Sequence, residues 1–93
     1  MNKSELINAL SEETTFSKKD ISRVLESFTR IIERILKKGD KVSLTGFGVW
    51  WVSLRPARKG INPATKERID LPEVHVPRFK AGKNLRDLVK TMK

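Results

Sequence analysis

Arg55-Pro56-Ala57-Arg58-Lys59-Gly60-Ile61-Asn62-Pro63-Ala64-Thr65-Lys66-Glu67-Arg68 holds five basic side chains, one acid and a single large apolar residue, Ile61. Such a segment cannot bury a core of its own. Apolar alternation flanks it on both sides. Before it, Val49 to Arg55 reads as a strand with Trp50, Val52 and Leu54 on one face and Val49, Trp51 and Ser53 on the other. After it, Ile69, Leu71, Val74 and Val76 read as a returning strand. The segment is therefore expected to be a basic β-hairpin arm, turning at Asn62-Pro63 and mobile until bound. The alternative is a surface loop without function, which five cations around one turn disfavour.

Working outward, Val42 and Leu44 alternate with Lys41 and Ser43, and Thr45-Gly46-Phe47-Gly48 supplies a turn. Pro56, Pro72 and Pro77 cannot donate to a ladder and belong at edges or bulges. Upstream, Ser17 with Asp20 resembles a capping box, with Asp in place of Glu. Ile21, Val24, Leu25, Phe28, Ile31, Ile32, Ile35 and Leu36 then form a wide helical apolar face. Lys37 and Lys38 suit the negative end of that helix, and Gly39 ends it. About 20 residues make a rod roughly 30 Å long, and one short helix cannot cover it. Sheet or a second subunit must. That short helix starts from an Asn2 cap and carries Leu6, Ile7 and Leu10; Ser11–Phe16 is expected to break it. A third helix is expected from Lys83 to Met92, with Leu85, Leu88, Val89 and Met92 as its stripe.

The 93 residues fit one domain, 1–93, with a helical part over about 1–40, sheet and arm over about 41–80, and a terminal helix over about 83–92. The fold class is α+β. The formal charge is +9 and is uneven. Residues 1–50 carry nine basic and seven acidic side chains, net +2; residues 51–93 carry eleven and four, net +7. The second half looks like a surface that meets a polyanion. Nothing approaches the roughly 20 apolar residues of a membrane span, and the start lacks an apolar signal core. The absence of cysteine makes a cytosolic compartment the default and removes disulfide and thiolate chemistry. With one histidine, His75, in a strand pattern, a metal site is not expected. Glu12-Glu13 and Glu67-Asp70 form no paired-carboxylate signature, and no nucleophile or phosphate loop is present, so neither enzyme nor cofactor is expected. A helix-turn-helix reader is disfavoured because the second helix is too long and its basic residues sit among acids.

The run Gly46-Phe47-Gly48, then Arg55 and Arg58, then Gly60-x-Asn62-Pro63-x-Thr65, resembles the bacterial HU/IHF family of DNA-bending proteins. So do Val76-Pro77-x-Phe79-Lys80-x-Gly82-Lys83 and the opening Met1-Asn2-Lys3-x-Glu5-Leu6-Ile7, which is closest to HU. The resemblance covers almost the whole chain. It implies two N-terminal helices, a three-stranded antiparallel sheet bearing the arm and a short C-terminal helix, in an intertwined homodimer. It implies a double-stranded DNA partner, with neither membrane nor small-molecule substrate, and a nucleoid-associated cytoplasmic protein. Minor-groove architectural proteins of this kind, HU and IHF among them, kink DNA with inserted apolar wedges. By that resemblance Asn62 and Pro63 form the arm tip and Pro63 is the wedge, against the plain reading of a turn proline. Arg55, Arg58 and Lys59 line the arm along the minor groove, and Ile61, Lys66 and Arg68 share that surface. Lys3, Lys80, Lys83 and Arg86 meet phosphates, while Phe47, Trp50 and Phe79 form an aromatic core.

Three positions depart from the family pattern: Ile61 stands where Arg is common, Ser53 where a basic residue is common, and Lys66 where glycine is common. Trp51 has two readings, a floor near DNA or a dimer contact. The implied function is nonspecific binding, bending and compaction of duplex DNA. The rivals are an IHF-like site-preferring protein, an RNA-binding basic module that lacks an aromatic platform unless Trp51 serves, and a scaffold whose helix face docks another protein.

Overall fold

Asn2 opens the first helix of the computed structural model, which describes residues 1–92. Its Oδ1 accepts the Glu5 N–H at 2.9 Å, satisfying one orphan donor of α1 (Lys3–Thr14). The break expected at Ser11 does not occur. Thr14 Oγ1 donates to the Leu10 carbonyl and Ser11 Oγ to that of Phe16, each at 2.6 Å. The hydroxyls thus tie off the last turn instead of competing with it. The helix ends at Thr15, left-handed at φ 65°, whose N–H donates to the Ser11 carbonyl.

Ser17 Oγ accepts the Asp20 N–H at 3.1 Å and starts α2 (Lys18–Lys37). Gly39, at φ 81°, turns the chain out of it, with its N–H on Leu36 and that of Asp40 on Ile35. The chain divides into two units, Met1–Arg34 and Ile35–Lys93. In the first, Ile21 is buried, while Val24, Phe28 and Ile31 are exposed.

In the second unit, β1 (Val42–Leu44), β2 (Gly48–Arg55) and β5 (Val74–Ala81) form an antiparallel sheet in the order β1-β2-β5. A separate ribbon pairs β3 (Arg58–Ile61) with β4 (Arg68–Leu71). The single returning strand expected from the sequence is thus two strands. The last sheet pair is Arg55 with Val74 and the first ribbon pair is Arg58 with Leu71. Between them lie Pro56-Ala57 on one side and Pro72-Glu73 on the other, so a proline interrupts the ladder on each strand. Pro77 lies opposite Val52 within β5, an edge strand, where a missing donor is tolerated.

Period-two alternation sorts the sheet. Trp50, Val52 and Leu54 share a face with Phe79, their cross-strand neighbours being Phe79, Pro77 and His75. Trp50 and Phe79 lie 4.8 Å apart between ring centroids, and Phe47 lies 6.2 Å from Phe79. The three rings expected as an aromatic core thus cluster, but in the protomer Trp50 is half-buried and Phe47 and Phe79 are exposed. Gly48 permits the cluster, since a Cβ there would fall 2.3 Å from Phe79 Cζ. Gly82 donates its N–H to the Phe47 carbonyl at 2.7 Å and caps α3 (Lys83–Lys90), which stops two residues short of the expected end. Leu88, Val89 and Met92 of the expected stripe remain exposed in the protomer. Among the described residues no helix is long and apolar enough to cross a membrane.

Candidate nucleic-acid interface

The arm tip is built by Asn62. Its N–H donates to the Glu67 carbonyl at 2.8 Å, its own carbonyl accepts the Lys66 N–H at 2.6 Å, and its Oδ1 accepts the Ala64 N–H at 2.9 Å. This is an Asx turn closing a loop longer than Asn62-Pro63 alone. Thr65 Oγ1 accepts the Glu67 N–H at 3.4 Å, and Lys66 closes the loop in the left-handed region at φ 59°. Asn62 is half-buried and Pro63 is exposed at the apex. The side chain of Asn62 is engaged in shaping the turn that presents the proline ring.

The ribbon register separates cations that the sequence reading grouped together. Arg58 shares a face with Gly60, Ile69 and Leu71; Lys59 shares the other with Ile61, Arg68 and Asp70. Arg58 and Lys59 are consecutive and project from opposite sides. Asp70 lies directly across from Lys59 and offsets part of its charge. Arg55 belongs to the sheet, on the face opposite Trp50. A small cavity of about 100 Å³ at the joint is lined by Arg55, Pro56, Arg58, Leu71, Pro72 and Val74.

Lys80 is the penultimate residue of β5, and Lys83 and Arg86 follow in the first turns of α3, all exposed. Lys3 stands in the helical unit, where its Nζ lies 3.9 Å from Glu26 Oε1. Both groups are exposed, so the pair contributes little. No ion pair engages Arg55, Arg58, Lys59, Lys66, Arg68, Lys80, Lys83 or Arg86 among the described residues. Their charge is available to an external anion.

Sequence reasoning missed Arg78. It stands opposite Trp51, two residues before Lys80, and its Nε donates to Ser53 Oγ at 3.1 Å. Alternation from Lys80 is the signal that finds it. Ser53 stands where the family often places a cation, and here it holds a guanidinium from the neighbouring strand.

Residues 1–90 match the family model described as bacterial DNA-binding protein. The chain is 50% identical over 90 residues to the DNA-binding protein HU of Geobacillus stearothermophilus, covering 97% of this chain and all of that one. It is 51% identical over 89 residues to DNA-binding protein HU 1 of Bacillus subtilis, covering 96% and 97%. Among solved structures, it superposes on HU in the Anabaena HU–DNA cocrystal structure with a TM-score of 0.91 and 41% identity, covering 98% of this chain and 99% of that one. With a helical pair, an antiparallel sheet, a basic proline-tipped ribbon and relatives this similar end to end, the chain belongs to the bacterial DNA-binding protein family that includes HU.

Proposed function

We propose that this chain is an architectural DNA-binding protein: two copies together grip duplex DNA through the minor groove, with little sequence preference, and bend it. The observation that carries this reading is the ribbon, whose cations form no ion pair among the described residues and whose apex exposes Pro63. A proline ring there has little to pack against in the free protein, while flanking cations draw it into a groove of negative potential. Unstacking a base step costs a few kcal/mol and bending about 1–6 more; phosphate neutralisation offsets both. Its relatives are named as DNA-binding proteins, and one was crystallised with DNA. The family is structural, and the work is mechanical rather than catalytic.

Pairing of two copies is supported by uncovered apolar surface. Ile21 is the one buried large apolar side chain among the described residues. The protomer exposes 8245 Å², against about 5,500 Å² for a folded monomer of this mass. In this reading the protein works on the bacterial nucleoid, in the cytoplasm. Lys3, Lys80, Lys83 and Arg86 take phosphates outside the arm, and Arg55, Arg58, Lys59, Ile61, Lys66 and Arg68 take the groove and its walls.

The test is binding to a duplex labelled at both ends, with affinity and end-to-end energy transfer measured at several salt concentrations. About 6–10 phosphate contacts give a log–log salt slope near −5 to −9, and the ends approach on binding. Shuffled sequences of equal composition bind alike. A flat salt response with unchanged end separation refutes the reading, and a loss of about 4 kcal/mol on shuffling transfers it to a site-preferring protein.

A further inference from the structure

Trp51 turns away from the apolar side of its strand. Its neighbour Trp50 lies against Phe79, so alternation sends Trp51 to the opposite face, with Ser53, Arg55, Arg78 and Lys80 beside Val49, Val74 and Val76. Arg78 is its direct cross-strand partner. The Arg78 guanidinium is tethered beside it through the 3.1 Å bond from Nε to Ser53 Oγ. That bond uses one of five guanidinium N–H donors. Trp51 makes no hydrogen bond or ring contact among the described residues.

Three cations share that face with three valines and a half-buried indole, and a second copy of the same basic face would repel it. The charge selects a polyanion. The indole selects something further: a flat π-face stacks on a base whatever its identity. Paired bases in a duplex present only their edges to the grooves, so a base must leave its pair to offer that face.

We infer that Trp51, with Arg78 held by Ser53, is a base-stacking site for DNA carrying an unpaired nucleotide. The indole covers the extruded base and Arg78 takes the adjoining phosphate. This rests on the DNA-binding reading above, but uses residues separate from the arm.

The full-length protein is titrated with two duplexes of the same flanking sequence, one fully paired and one with a single unpaired thymidine at its centre. Trp51→Ala weakens binding to the bulged duplex about tenfold and to the paired duplex less than about twofold. Trp51→Phe recovers part of the loss, because a phenyl ring still stacks. In the Trp50→Phe variant Trp51 is the sole indole, and its fluorescence is quenched by bulged DNA far more than by paired DNA. That arm decides the matter even if Trp51→Ala does not fold. Equal losses on both duplexes, no loss on either, or dissociation of the dimer by Trp51→Phe overturns the stacking site. If the wild-type protein binds neither duplex, the architectural reading falls and the site with it; if it binds both without involving Trp51, only the site falls.

Discussion

Lys66 occupies a backbone conformation that L-residues enter at a cost of about 1–2 kcal/mol. Its φ of 59° is held by the bonds that close the tip, from its own N–H to the Asn62 carbonyl and from the Asn62 N–H to that of Glu67. Lys66→Gly removes the strain, partly offset by the greater freedom of glycine in the open loop. The expected outcome is slower hydrogen exchange at the backbone amides of positions 62 and 66. If Lys66 also neutralises a phosphate, the same variant loses about one unit of salt slope per subunit, so a better-ordered arm binds less tightly. Gly48→Ala forces a Cβ onto the Phe79 ring and displaces it from Trp50. It lowers stability by about 1–3 kcal/mol, read from the denaturant midpoint at fixed protein concentration. At this scale the sequence was legible where a residue acts on its own local backbone, through a capping side chain at Asn2 and Ser17 and through a positive φ at Gly39. It was not legible at Ser11 and Thr14, whose hydroxyls can break a helix or finish one. Nor did it show the bond from Arg78 to Ser53, whose partners lie 25 positions apart.

The arm shows what register adds to pattern. Its basic composition and its two strands were readable, because five cations around a turn and flanking alternation are local features. The partition of Arg58 and Lys59 was not, since it requires knowing that both residues lie within a paired strand. The division of β4 from β5 also escaped a reading that saw only alternating apolar residues on both sides of Pro72. The partition bears on mutation. Pro63→Ala removes ring surface but no charge, so the salt slope stays while the bend shrinks, because the base step can restack. Arg58→Ala removes one cation from the face bearing Gly60, Ile69 and Leu71. It flattens the slope by about one unit per subunit if that face meets a phosphate. Energy transfer at saturating protein measures the first effect and salt titration the second. An unaltered bend in Pro63→Ala returns that residue to an ordinary turn proline.

For the whole molecule the governing fact is how little one chain buries. The long apolar face of α2 was readable as more than a short helix can cover, and in the protomer Val24 is 66% exposed and Phe28 38%. Leu88, Val89 and Met92 of the C-terminal segment are also exposed. Which residues of a second copy cover them is not encoded in any local pattern, so the need for a partner was legible and its docking was not. If folding and pairing are one event, stability depends on concentration. Each tenfold dilution then removes about 1.4 kcal/mol, and the melting temperature falls by roughly 3–6 °C. Sedimentation at micromolar concentration gives twice the 10.7 kDa protomer mass. Phe28→Glu places a charge on the α2 face and uncouples the pair. The variant melts at lower temperature, and the fraction that sediments at the protomer mass loses its folded signal and its DNA bending together. A melting temperature independent of dilution, together with a protomer mass for the wild type, refutes the shared core.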